Sequence, residues 1–184
     1  MADLKPCILI VMGVSGTGKT TLGEALATTL GVPFIDGDDL HTPENRAKMG
    51  AGTPLTDEDR EPWLKIIRNT GVDGASKGGV VLACSSLRAK YRDILRGKEA
   101  NDTTAPTYFV FVKGSRELIW ERMQRRQNHY MKASMLDSQL ATLEDPEGEP
   151  DVVKVEAIDS TEVQHAKAIE TIRALRARNV GSPL

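Results

Sequence analysis

Five short apolar runs punctuate the chain, at Cys7–Met12, Val32–Asp36, Val80–Cys84, Thr107–Val112 and Val152–Ile158, and each reads as a buried strand. Between them the apolar period changes to that of a helix. Leu22, Leu26 and Leu30 repeat every four residues, and Gly31-Val32-Pro33 supplies the stop. Further helix starts are marked by Thr42 before Pro43, Thr56 with Asp59 three residues on, Ser115 ahead of an apolar-periodic stretch, and Thr161 with Gln164 three residues on. Pro62 leaves the start of the helix carrying Trp63, Ile66 and Ile67 open between Thr56 and Pro62. Strands separated by helices imply an α/β fold, a five-stranded parallel sheet with helices on both faces. Lys98 to Pro106 and Asp145 to Asp151 read as surface loops from their Gly, Pro, Asn and Asp content. Without an internal repeat or a break in composition, the 184 residues are expected to form a single domain, 1–184.

Charge narrows the partners. A net charge of −2 with no run of five like charges lacks the basic face that nucleic acid or a membrane surface requires, so small molecules are expected. Cys7 and Cys84 both fall inside apolar runs, where they read as small buried hydrophobes of a reducing compartment. The first apolar run is too short to span a bilayer and leads straight into a glycine loop, which points away from a removable signal and towards the cytoplasm.

That loop carries the most specific chemistry. Gly13-Val14-Ser15-Gly16-Thr17-Gly18-Lys19-Thr20 fits the phosphate-binding pattern G-x-x-x-x-G-K-[ST], placed between a strand and a helix. Its glycines let backbone N–H groups turn inward around a polyphosphate. Lys19 neutralises phosphate oxygens, the Thr20 hydroxyl is placed to ligate Mg²⁺, and Thr21 lies beside the nucleotide. In an open parallel sheet, ligands gather at the carboxyl ends of the strands. The second strand ends in Asp36-Gly37-Asp38-Asp39-Leu40-His41, where Asp36 is the candidate for an Mg²⁺ water and Asp38 for accepting a hydrogen bond or proton from an attacking hydroxyl. No Asp follows the third strand, which turns the metal assignment back to Asp36; Ser85 and Ser86 there either bind a polar substrate or cap the next helix. Arg122 and Arg126 share a helix face ahead of a polar segment and suit a lid that clamps ATP. An Asn-Lys-x-Asp segment, needed by a GTP switch protein, is absent from the sequence. Three scattered histidines, among them a terminal His165 expected at the surface, offer no zinc spacing.

Taken together, these segments resemble the gluconate kinases of the shikimate-kinase-like, nucleoside-monophosphate-kinase-like group. The likeness runs through the phosphate loop, Asp36 to His41, Asn45-Arg46-Ala47-Lys48-Met49, Gly52 to Leu64, Cys84 to Asp93, Lys113-Gly114-Ser115, His129-Tyr130-Met131, Ser138-Gln139-Leu140 and Leu143-Glu144. The stretch from Asn45 to Leu64 is its most specific part. The resemblance implies a P-loop kinase fold with a mobile lid, at about residues 122–142 here. It also implies ATP and Mg²⁺ as cofactors, phosphorylation of D-gluconate at its 6-hydroxyl, and a homodimer. A polyol with one carboxylate calls for a cation and several hydrogen-bonding groups, and the matched segments supply Arg46, Lys48, Arg60, Arg88, His41 and Ser85. Arg60 is expected on the carboxylate, His41 and Ser85 on hydroxyls, Lys19 and Arg126 on the transferring phosphoryl group, and Arg122 on adenine. A shikimate kinase or nucleoside-monophosphate kinase would share loop, sheet and lid, but accounts less well for His41 and Asp59-Arg60.

Overall fold

A computed structural model of the chain describes residues 7–98, 101–102, 104–125 and 133–180. Strand β1 (Ile8–Met12) feeds the phosphate loop and helix α1 (Lys19–Leu30). Then come β2 (Phe34–Asp36), a 3₁₀ turn over Gly37–Leu40, α2 (Pro43–Gly50), α3 (Asp57–Ser76) and β3 (Val80–Ala83). The chain continues through α4 (Ala89–Arg96), β4 (Thr107–Lys113), α5 (Arg116–Arg125), α6 (Ala133–Thr142), β5 (Val152–Glu156) and α7 (Thr161–Val180). All five strands are parallel in the order β2-β3-β1-β4-β5, so the phosphate loop leaves the central strand with β3 and β4 on either side.

Alternation along the strands divides the core in two. Leu9 and Val11 of β1 pack with Leu22 and Leu26 of α1 and with Ala168, Ile169 and Ile172 of α7. Ile8, Ile10 and Met12 face the other way, onto Trp63, Leu64 and Ile67 of α3 and Tyr91, Ile94 and Leu95 of α4. A third apolar group, Val14, Leu87, Ile119, Met123 and Leu136, lies beneath the phosphate loop and joins it to α5 and α6. Gly16 needs its missing side chain there: its φ is 85°, and a Cβ would stand 2.8 Å from Met123 Cγ.

Element ends agree with the sequence where local chemistry sets them. Gly31 adopts the left-handed conformation after α1, Thr42 caps α2 with Pro43 in its first turn, and Thr56 and Asp59 form a capping box on α3. This fixes the start of α3 at Asp57 and puts Pro62 inside its second turn, where the missing N–H costs one backbone bond. Other readings change. The second strand begins at Phe34, because Val32 N–H still bonds Ala27 O behind the end of α1. The fifth strand stops at Glu156: Ala157 N–H makes the last ladder bond to Lys113 O, and Asp159 N–H then donates to Glu156 O at 3.1 Å in a turn towards α7. Ser160, not Thr161, accepts the first-turn N–H of α7, from Val163. His165 is half-buried and ties α7 to α1 through Thr29 Oγ1 at 2.9 Å.

Candidate active site

The carboxyl ends of β1, β2 and β3 converge, and the candidate chemistry collects there. Lys19 Nζ reaches Val14 O at 3.1 Å across the phosphate loop, and Gly13 N–H bonds Ser85 O at 3.3 Å, fixing the loop against the end of β3. Thr20 Oγ1 donates to Asp36 Oδ2 at 3.2 Å, so the hydroxyl and the carboxylate singled out for a metal are adjacent. Asp36 Oδ1 also accepts the N–H of Asp38 at 3.1 Å, which caps the 3₁₀ turn and leaves the Asp38 side chain 85% exposed at the cleft. Gly37 is required between them, because a Cβ would meet Ala83 O at 2.5 Å. Hydroxyl and carboxylate oxygens are the hard donors Mg²⁺ takes when phosphates and water complete its shell. Among the described residues no group of three or more His, Cys, Asp or Glu converges on a metal-sized site.

His41, expected on the acceptor hydroxyls, lies at the centre of the group formed by Asp38, Arg46, Arg60 and Trp63. Its side chain is 4% exposed and stacks on Trp63 at 4.0 Å with 15° between the rings. The Trp63 indole N–H donates to Gly37 O at 2.7 Å, so one α3 side chain fixes both the aspartate turn and the histidine. His41 Nε2 stands 3.9 Å from Asp38 Oδ1, while Nδ1 is buried with no hydrogen-bond partner among the described residues. Burial lowers the pKa of the ring; Asp38 opposes the shift, and Arg46 and Arg60 add to it. Those two arginines bond backbone oxygens: Arg46 holds His41 O at 3.1 Å and Asp39 O, and Arg60 holds Leu55 O at 2.6 Å with its guanidinium 5.9 Å from the Tyr91 ring centre. They bring positive charge to the histidine that no carboxylate among the described residues pairs with.

The other two cations of the acceptor set are already paired with carboxylates. Lys48 bonds Asp59 at 2.6 Å. Arg88 bonds Asp57 at 2.8 Å, and Asp57 also takes Lys90 and the Tyr91 hydroxyl, which hold its pKa down to about 2. Ser85 sits half-buried beside the loop. Neither Ser85 nor Ser86 caps α4: Glu144 reaches across from the end of α6 to accept Ala89 N–H at 2.6 Å, and its own N–H donates to Leu87 O at 2.8 Å. Burial pushes the Cys84 thiol up to about 11 and raises that of Cys7, so neither is a nucleophile at neutral pH.

On the far side of the loop, Gly16, Thr17, Gly18 and Thr21 line a cavity of about 320 Å³ with Arg122, Arg125, Asp159, Thr161 and Gln164. Arg122 is held there by Thr17 O at 3.3 Å and by Ala157 O. Gln164 braces the wall by donating to Glu156 O at 2.9 Å and Asp159 O at 3.0 Å. Arg126 and the His129-Tyr130-Met131 segment lie outside the described residues.

A cleft with phosphate loop, base-sized cavity and charged acceptor side is shared by several kinases; the comparisons separate them. The shikimate kinase family model matches residues 15–173. A gluconokinase of Gluconobacter oxydans (strain 621H) is 48% identical over 153 residues, 83% of each chain. The chain belongs to the gluconokinase family. Within that family, the thermosensitive gluconokinase of Escherichia coli (strain K12) is 43% identical over 80% of this chain and 77% of its own. The crystal structure of a gluconokinase from Sinorhizobium meliloti 1021 superposes with a TM-score of 0.84 at 43% identity, covering 95% of this chain and 96% of that one. The family is one of nucleotide-using P-loop kinases, and among the described residues no helix is long and apolar enough to cross a membrane.

Four residues given no individual role in the sequence analysis make contacts that tie the segments of this cleft together. Trp63 is read there only as an apolar helix position and Asp57 only as part of the Gly52 to Leu64 likeness; in the structure Trp63 bonds Gly37 O and Asp57 bonds Arg88. Gln139 and Glu144 stand more than fifty residues from their partners, and no local pattern signals such contacts.

Proposed function

We propose that the chain transfers the γ-phosphoryl group of ATP to the 6-hydroxyl of D-gluconate, giving 6-phospho-D-gluconate and ADP for the pentose phosphate pathway. The observation that carries this reading is the buried, unpartnered His41 Nδ1, flanked by Arg46 and Arg60 and next to Asp38. A buried ring nitrogen without a partner is costly, and a substrate hydroxyl would satisfy it. Arg60 and Arg46 supply the charge for one carboxylate. Because Lys48 and Arg88 are neutralised by Asp59 and Asp57, the pocket suits a monoanion better than a dianion.

In this reading Lys19 and the loop N–H groups hold the phosphate chain, Arg122 borders the adenine, and Arg126 stabilises charge on the group in flight. Asp38 accepts the proton of the attacking hydroxyl as its oxygen bonds phosphorus and the bridge to ADP breaks. Mg²⁺, held through Thr20 and Asp36, would neutralise charge on the β- and γ-phosphate oxygens. Phosphoryl transfer asks chiefly for positioning, and the paired carboxylates and the Trp63 clamp serve that. We further infer a single domain whose lid covers about residues 122–142, and a cytoplasmic homodimer, in keeping with two buried cysteines that form no disulfide.

The test is ADP release by the purified protein with ATP and Mg²⁺ across gluconate, other sugar acids, shikimate and nucleoside monophosphates. Turnover with gluconate alone supports the assignment. Turnover only with another acceptor keeps the kinase and discards the sugar acid.

A further inference from the structure

Ser15 is the third residue of the phosphate loop, and its backbone N–H donates to the side-chain oxygen Oε1 of Gln139 at 2.7 Å. The loop works by turning such N–H groups towards phosphate oxygens, so the Gln139 amide oxygen engages a donor that a nucleotide would use. The contact spans 124 residues and comes from the last turn of α6. That helix is well seated. Leu136 and Leu140 pack on Val14, Leu87, Ile119 and Met123, with Trp120 against the same group. Just beyond its end, Glu144 grips Ala89 and Leu87 beside Arg88. The helix and the two residues that follow it therefore touch the phosphate loop through Gln139 and the loop after β3 through Glu144.

We propose that Gln139 competes with nucleotide phosphate for the Ser15 N–H, so that nucleotide binding must displace its amide and shift α6. The proposal rests on residues 13–20 being a nucleotide phosphate seat; it does not depend on which acid is the acceptor. The geometry favours competition over simple bracing, because the bonded donor is a backbone group of the phosphate loop itself. A carbonyl oxygen is a weaker partner for it than an anionic phosphate, so the exchange runs towards nucleotide while reducing its apparent affinity.

The experiment is calorimetric titration of the full chain with ADP, comparing wild type with Gln139→Ala and Gln139→Glu. Removing the competitor should tighten ADP by about three- to tenfold, the worth of one hydrogen bond. A carboxylate there bonds Ser15 more strongly and repels phosphate, so Gln139→Glu should weaken ADP by about tenfold. In a Trp63→Phe background, the ADP-induced change in Trp120 fluorescence should be present with Gln139 and largely lost in Gln139→Ala. Equal ADP affinity in all three proteins, with Trp120 responding alike, would overturn the proposal and leave Gln139 a structural brace. Weaker ADP binding by Gln139→Ala would also overturn it, because Gln139 would then be a nucleotide ligand. Wild type that fails to bind ADP would remove the phosphate-seat reading beneath it.

Discussion

At the scale of single residues, the acceptor side depends on which charges are spent and which remain available. The Asp38 carboxylate is exposed at the cleft, with its backbone N–H held by Asp36 and its Oδ1 3.9 Å from His41 Nε2, so Asp38→Asn should cut kcat by about a hundredfold or more while leaving ATP binding intact. Steady-state kinetics beside ADP titration would check this, and wild-type turnover would remove Asp38 from the mechanism. Arg60 is bound to two backbone oxygens and, among the described residues, to no carboxylate, so Arg60→Ala should raise the acceptor KM far more than the ATP KM. Equal effects on both would move it out of the acceptor pocket. His41 gives the pH dependence. Its folded pKa lies below the ordinary 6.5, so the unfolded chain binds the proton more readily; the stability it contributes is complete above about pH 6.5 and falls as the pH drops through the folded value. An NMR titration of the ring should place its midpoint below 6.5, and a midpoint above it would contradict the burial argument. The Asp36-x-Asp38 spacing and the Lys19-Thr20 pair could be read from the sequence because each is local. The pairing of Lys48 with Asp59 and of Arg88 with Asp57 could not, since each crosses between elements.

At the scale of elements, α3 does more than bury an apolar face. Its Thr56–Asp59 capping box was legible as a four-residue signature, and satisfying two end N–H groups in this way typically stabilises a helix by about 1 kcal/mol. Pro62 obscured where the helix begins because local rules penalise it inside a helix, whereas the box and the contacts of Asn45 and Lys48 to Asp59 hold the first turn in place. One turn on, Trp63 clamps the β2 turn. Trp63→Phe keeps an aromatic face for His41 but takes the indole donor from Gly37 O, a loss of about 1 kcal/mol. The expected outcome is poorer acceptor binding with nucleotide binding unchanged. If acceptor kinetics stayed at wild-type values, the clamp would be structural only. The N-terminus of α4 shows the opposite limit, since its cap comes from Glu144, fifty-five residues away.

At the scale of the whole molecule, the loop after β3 is braced from behind by buried charge. Arg92 is 1% exposed; it donates to Ser86 O at 3.0 Å and Leu87 O at 3.3 Å and pairs with Glu149, which Arg96 shares while also bonding Asp151 at 2.6 Å. Ser86 itself is held at a φ of 49°, a strained conformation that this bracing sustains. Arg92→Met should destabilise the protein by about 3 kcal/mol, because it orphans two buried carbonyls and part of a carboxylate. Denaturant unfolding would measure it, and a loss below about 0.5 kcal/mol would mean the network is neutral to stability.

The sequence alone determined the strand and helix alternation, the phosphate loop and most caps, since each depends on a period or a spacing within a few residues. It also placed Asp36, Asp38, His41 and Arg60 in the segments that reach the strand ends. Tertiary structure decided what those segments do to one another: Trp63 on His41, Asp57 on Arg88, Glu144 on α4 and Gln139 on Ser15. Such contacts depend on how β1, β3 and α6 stack in space, and a chain read in one dimension does not contain that distance.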